Sequence, residues 1–510
     1  MTTRPLPRCL DRQHREPLHS AAATRQLEAI AQETLSAHEL MNRAGESVAR
    51  LARAWVPHAQ RVWVATGPGN NGGDGWVAAF HLHKAGVPEV WVTQMGEPAR
   101  LPPDAAWARQ AALEAGVMIR PHAPASADLI LDALLGLGAS RVPTGLLGEQ
   151  IAAIRNSPAP VLCVDLPSAL DADTGTCLGP LPCRAGPRLT LSLLTLKPGL
   201  FTAHGRDLAG EVWFDDLGVA QNEAEAPAAC AHWGGADRLL ADRASHAHAS
   251  HKGSFGDVAI VGGQGPETDG AGMVGAALLA ARAALHGGAG RVFVGLLDEG
   301  ASHWDPKAPE LMVRHPDRLT EPAFLARATV VAGCGGGQAI AGHLEPVLRF
   351  AKRLVLDADA LNLLASAPAM RQLVRRRRED GLETVITPHP LEAARLLGNT
   401  TAEVMADRLR SATALAHELG VVCVLKGAGT VVASAEALPW INATGNARLA
   451  TAGTGDVLAG MLGASLSCSP ALPLRERVER AVARHGALAD AWPTHRALSA
   501  SRLADAVMPW

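Results

Sequence analysis

Residues 61–94 constrain the fold of this chain more than any other stretch. An apolar run, RVWVATG, leads into a glycine-rich turn, GPGNNGGDG (Gly67 to Gly75). An apolar helical stretch, WVAAFHLHKAG, follows and ends at Gly86, and a second apolar run, EVWVTQ, closes the unit. This is a strand, a loop, a helix and a strand, and it predicts a parallel sheet covered on both faces. The turn sits where backbone can approach a pyrophosphate. It is neither GxGxxG nor a Walker loop, which would need a Lys-Ser/Thr pair. Asn70, Asn71 and Asp74 add more side-chain oxygens than a plain turn requires.

The alternation continues. Residues 21–56 carry helical periodicity, and DLILDALLG (Asp128 to Gly136), PVLCVDLPS (Pro160 to Ser168), RLTLSLLTL (Arg188 to Leu196) and EVWFDDLG read as strands. Asp132 and Asp165 fall at or near strand ends, which face the ligand crevice of a parallel sheet. Asn71, Asp132 and Ser168 could supply oxygens to a hard cation.

Further on, TVVAGCGGGQ, RLVLDADALNLL, TVITPHPLEAARLL and GVVCVLKGAGTVVAS are strands entering turns, the last a hairpin through Lys426 to Thr430. ATAGTGDVLAG (Ala450 to Gly460) places Asp456 at the start of an apolar helix predicted from near Gly455. Free N–H groups and the helix dipole attract anions there. Asp456 could cap that helix or act as a base beside a bound phosphate. A lysine, glycine loops and an acidic helix start are the parts phosphate transfer needs.

The chain has 510 residues, which implies two or three domains, and Ala220 to His232 lacks periodicity, so the boundary is placed there. A net charge of -3 gives no reason to expect nucleic acid. The run Arg375 to Arg378, followed by Glu379 and Asp380, reads as a solvated helix end. The 8 cysteines show no CxxC pair; Cys163, Cys334 and Cys423 lie in apolar strand-like runs, as reduced core thiols would. The reduced-thiol pattern points to a cytoplasmic home, and the most apolar stretch, Ala271 to Leu297, is broken by Arg282, His286 and Arg291, so no membrane span is expected. With no tyrosine in the chain, a tyrosine acid is excluded.

LMNRAG, GPGNNGGDG, DALLGLGASR, VDLPSALDADTG and LKPG closely resemble the N-terminal domain of the NAD(P)H-hydrate repair proteins of the YjeF type. DADALN, TPHPLE, KGAGT and NARLATAGTGDVLAG resemble their C-terminal domain. The resemblance implies an α/β chain with a Rossmann-like three-layer sandwich at 20–222 and a ribokinase-like domain at 235–505. It implies an epimerase for the R and S forms of hydrated NADH and NADPH, followed by an ADP-dependent dehydratase of the S form that yields AMP and phosphate.

By motif position Asn70, Asn71, Gly72, Gly73 and Asp74 would hold the hydrate, with Gly136, Leu137, Gly138, Ala139, Ser140, Arg141 and Val142. Asp165 would contact the reacting ring and transfer the proton, and Asn71, Asp132 and Ser168 would hold K+. Lys426, Gly427, Ala428, Gly429, Thr430 and Gly455 would contact the adenine nucleotide. Ala276, Gly337, His389 and Asp456 would contact the hydrate, with Asp456 as base. Mg2+ is expected at the dehydratase, and the family suggests a homo-oligomer. Departures are Ala169, where the family has glycine, Leu137 and Ala139 in GLGAS for GTGLS, and GCGGG for GPGLG around Gly337. The rival reading is a small-molecule kinase of ribokinase-like fold fused to a nucleotide-binding module.

Overall fold

The computed structural model describes residues 7–181, 186–219, 227–241, 248–267, 270, 272–298, 300–301 and 304–510. It divides into two compact units, Met1–Asp11 with Glu16–Ala231, and Arg12–Arg15 with His232–Trp510. Residues 220–226 of the expected linker lie outside the described residues, and 231–234 form a strand.

In the first unit the strands lie in the order Arg8–Cys9, Glu211–Asp215, Arg188–Leu193, Val161–Val164, Leu129–Ala133, Arg61–Thr66, Glu89–Gln94, Met118–Ile119. Every neighbouring pair is parallel except the first. Alternate residues serve opposite faces. Val62, Val64, Leu129 and Leu131 join one buried cluster, and Trp63, Ala65 and Ile130 join the other. The result is a three-layer α/β sandwich. The chain moves outward from Arg61–Thr66, then returns to Leu129–Ala133 on the other side, so a crevice opens between these two strands at their carboxyl ends.

The second unit repeats this logic. Its parallel run is Met312–Val313, Arg291–Leu296, Asp257–Gly262, Thr329–Ala332, Arg353–Leu356, Glu383–Ile386, Val422–Leu425. The hairpin strand Val431–Ser434 and then Ala437–Ile441 follow antiparallel. Val258 and Ile260 face one cluster, Ala259 and Val261 the other. The reversal lies between Asp257–Gly262 and Thr329–Ala332. The helix Thr454–Cys468 packs closely on Val274–His286, because Gly460 leaves no Cβ to strike the Ala280 carbonyl.

Three local expectations need correction. The turn Gly67 to Gly75 is not all loop, because the helix Asn70–Lys84 begins at Asn70. A Cβ on Gly72 would strike the Gly67 carbonyl, on Gly73 the Met41 side chain, and on Gly75 Ala133, so these glycines serve close packing. The arginine run is only partly solvated. Arg377 is buried and donates to the Leu348 and Ala351 carbonyls and to Thr384. Cys334 lies beyond its strand, buried among strand-end loops. No helix among the described residues is long and apolar enough to cross a membrane.

Candidate active sites in the two units

In the first unit a cleft of about 380 Å³ is lined by Arg25, Glu28, Asn70, Asn71, Asp74, Leu134 to Gly138 and Asp165, at the sheet's reversal point. A smaller cavity shares Glu28, Asn70, Asp74 and Asp165 with it and adds Leu193 and Leu194. Asp165 follows the strand Val161–Val164 with φ 64, and Leu166 N–H donates to the Val164 carbonyl at 2.8 Å across it. One strand over, Leu194 has φ 63 and Thr195 N–H donates to Leu193 at 2.7 Å. These are two γ-turns of the strained, positive-φ kind, side by side at the ends of paired strands. Their effect is to turn Asp165 into the cleft. Its Oδ1 accepts Leu193 N–H at 3.0 Å and is ion-paired with Lys197, whose side chain is wholly buried.

Burial, with Asp165 and Glu28 nearby, holds the Asp74 carboxyl well above the usual carboxylate range. Glu28 is raised by burial and then by Asp165. Asp132 is buried in its strand and is raised by that burial. It accepts the Ser168 hydroxyl at 2.5 Å and Ser168 N–H at 3.0 Å, and the Ser168 Oγ accepts Leu135 N–H at 2.9 Å. The Asn71 amide is buried with neither Oδ1 nor Nδ2 hydrogen-bonded among the described residues, and Gly136 lies against it. A buried amide oxygen without a donor is what a cation ligand requires before the ion arrives. Ala139, Ser140, Arg141 and Val142 lie beyond the cleft lining, and Arg141 and Val142 are exposed.

In the second unit the strand ends converge on Lys426. Its Nζ donates to Asp357 Oδ1 at 2.7 Å, and Thr387 Oγ1 donates to the same oxygen at 2.8 Å. Burial opposes the ammonium, but Asp357 and Glu392 outweigh it and Lys426 is raised. The helix Thr454–Cys468 has Gly453 at its N-cap, so Asp456 lies inside the first turn and does no capping. Burial and then Asp357 push its carboxyl up to about 6. A Cβ on Gly455 would stand 3.4 Å from the Lys426 ammonium, so helix start and lysine are adjacent. His485, buried and lowered to about 4, donates from Nε2 to the Thr454 carbonyl at 3.0 Å and pins that helix start.

His389 caps the helix Pro390–Leu397. Its Nδ1 accepts Leu391 N–H at 3.1 Å, and burial and then Lys426 lower its pKa. Gly337 has φ 51, donates to Asp359 at 2.8 Å and lies against Gln264, and Ala276 lies against Gly335. Gly427 lies against the buried Arg408 guanidinium, and Gly427 to Thr430 form the hairpin turn. Cys334 Sγ, an Asp357 oxygen and an Asp456 oxygen lie within 4.8 Å of one another. A thiol is a poor Mg2+ ligand, and Lys426 already supplies the positive charge at Asp357. That set therefore does not fit a resident Mg2+.

Sequence reasoning gave no role to Lys197, Glu28, Asp357 or Gln264. A lysine inside the apolar run before PG and the carboxylate at the end of RLVLD were usable signals; Glu28 and Gln264 offered none.

A family model described as NAD(P)H-hydrate dehydratase matches residues 259–508, and one described as YjeF-related protein N-terminus matches 37–199. The chain is 41% identical over 451 residues to the bifunctional NAD(P)H-hydrate repair enzyme of Escherichia coli (strain K12), covering 85% of this chain and 81% of that one. It is 35% identical to the protein of that name from Coxiella burnetii, over 88% and 89% of the two chains. The ADP-dependent (S)-NAD(P)H-hydrate dehydratase of Neisseria meningitidis serogroup B is 39% identical over 272 residues, 52% of this chain and 86% of that one.

Proposed function

Because this chain belongs to the bifunctional NAD(P)H-hydrate repair enzymes, we propose that each of its two units carries one of the family's activities through its own aspartate. The enzyme epimerises the R and S forms of hydrated NADH and NADPH. It dehydrates the S form at the expense of ADP, giving AMP and phosphate. Hydration without an enzyme makes both epimers, and a chiral dehydratase accepts one, so pairing the activities lets both be repaired.

In the first cleft Asp165 transfers the proton, and Asn70 to Asp74 with Gly136 to Gly138 hold the hydrate, while Ala139 to Val142 extend the loop beyond the cleft lining. Asn71, Asp132 and Ser168 would hold K+, which supplies a fixed positive charge beside the dinucleotide. The orphaned Asn71 amide supports this.

At the Lys426 site of the second unit water is the problem, since hydroxide leaves badly. Phosphorylating the ring hydroxyl makes phosphate the leaving group. Asp456 takes the hydroxyl proton, and the N–H groups around Thr454 and Gly455, with Lys426, hold the transferring charge. Lys426 to Thr430 and Gly455 face the nucleotide; Ala276, Gly337 and His389 face the hydrate. Mg2+ arrives with the nucleotide phosphates.

The observation that carries this reading is the placing of Asp456 inside the helix start beside Lys426, free of capping duty. The test is an assay with separated R and S hydrates, with and without ADP. The S form is expected to return NADH absorbance and release phosphate only with ADP. The R form is expected to follow at a rate set by epimerisation. Accumulation of a phosphorylated alcohol would instead identify a kinase. The expected homo-oligomer and cytoplasmic location are carried by family likeness.

A further inference from the structure

We propose that in the R-to-S direction Asp74 is the proton donor of the epimerase reaction, protonating the ring hydroxyl so that it leaves as water, while Asp165 receives the proton of the water that returns; in the S-to-R direction the two exchange roles. The inference rests on the epimerase reading of the first cleft.

The two carboxyls line the same two adjoining cavities but are held differently. Asp165 has one oxygen fixed by the Lys197 ammonium and the Leu193 N–H. The Asp74 carboxyl makes no hydrogen bond or ion pair among the described residues. Glu28, Asp104, Asp165 and Lys197 are the charged groups that act on Asp74, and Arg25 lines the same cleft. Three of the four that act on it are acidic, so a second negative charge at Asp74 is resisted. Burial works in the same direction. A carboxyl held by a cation and an N–H donor and a carboxyl held by neither divide into base and acid.

The chemistry of the hydrate calls for this pair. Water adds across an enamine with the hydroxyl on the carbon next to nitrogen, so the hydrate is a hemiaminal. Asp74 gives its proton to that hydroxyl. The C–O bond breaks, its electron pair leaves with water, and the nitrogen lone pair closes a C=N+ bond. The Asp165 carboxylate faces this developing cation. Water then adds to the opposite face and its proton passes to Asp165, which returns it to Asp74 through solvent. Composition is unchanged and no oxidant or reductant enters.

The test uses the full chain with separated R-hydrate in 18O-labelled water, without ADP, with rates taken above the enzyme-free interconversion. The wild type is expected to place one solvent oxygen on the ring at each inversion. Asp74→Asn is expected to lose at least about 100-fold in epimerisation. Its thermal unfolding should match the wild type, which shows that the first unit is folded, and Asp74→Glu should recover part of the rate. Inversion without solvent oxygen, or an Asp74→Asn variant epimerising at the wild-type rate, would overturn the assignment. A wild-type chain that does not interconvert the epimers would instead overturn the epimerase reading, and the proposal with it.

Discussion

The Lys197 ammonium, with no exposed surface, and the Leu193 N–H converge on one oxygen of Asp165. The charge of Lys197 and the strained turn at Asp165 together aim a carboxylate into the first cleft. An apolar residue at 197 of similar length would leave Asp165 nearly buried and unpaired.

Lys197→Met is therefore expected to destabilise the first unit by about 3–5 kcal/mol, the usual consequence of stranding one partner of a buried pair. Urea unfolding of the full chain measures it. The double variant Lys197→Met with Asp165→Leu should recover part of that loss, because no buried charge is left alone. Equal stability of the Lys197→Met variant and the wild type would show that the pair does no structural work.

Asp456 acts as a base only when ionised, and its carboxyl is raised to about 6. Dehydration of the S-hydrate is thus expected to fall with acidification through about pH 6 and to level off above it. A pH–rate profile of phosphate release checks this. Epimerisation, which uses other groups, should not share that limb.

Asn71, Asp132 and Ser168 should make the first unit sensitive to K+. Replacing K+ by a large organic cation is expected to lower its melting temperature, and Asn71→Ala should remove that difference. Thermal unfolding in matched ionic strength reads both. A wild type indifferent to K+ would remove the site.

Ala169, fully buried, stands at φ 62, a backbone conformation that favours glycine. A left-handed alanine costs about 1–2 kcal/mol. Ala169→Gly relieves that but gives up a buried methyl, worth about 0.8 kcal/mol, and some backbone entropy. The substitution is expected to be neutral within about 1 kcal/mol by denaturant unfolding.

Much of this was legible before any coordinates. Strand runs such as RVWVATG and RLVLD gave the parallel sheets because buried strands are continuously apolar, and motif order gave the family. What escaped detection depends on tertiary contact. Gly72, Gly73 and Gly75 look like loop glycines until their neighbours Gly67, Met41 and Ala133 are known. Arg377 reads as solvated because nothing local reveals the carbonyls of Leu348 and Ala351 that receive it. Lys197 and Asp165 are 32 residues apart and meet only because their strands pair.

The central claim is that two sites, one in each unit, act separately on one damaged cofactor, and two variants assayed on separated epimers test it most directly. Asp165→Ala with ADP should consume S-hydrate at the wild-type rate and R-hydrate only at the enzyme-free rate. Asp456→Ala should interconvert the epimers and release no phosphate. Wild-type consumption of R-hydrate by Asp165→Ala, or phosphate release by Asp456→Ala, would contradict the account.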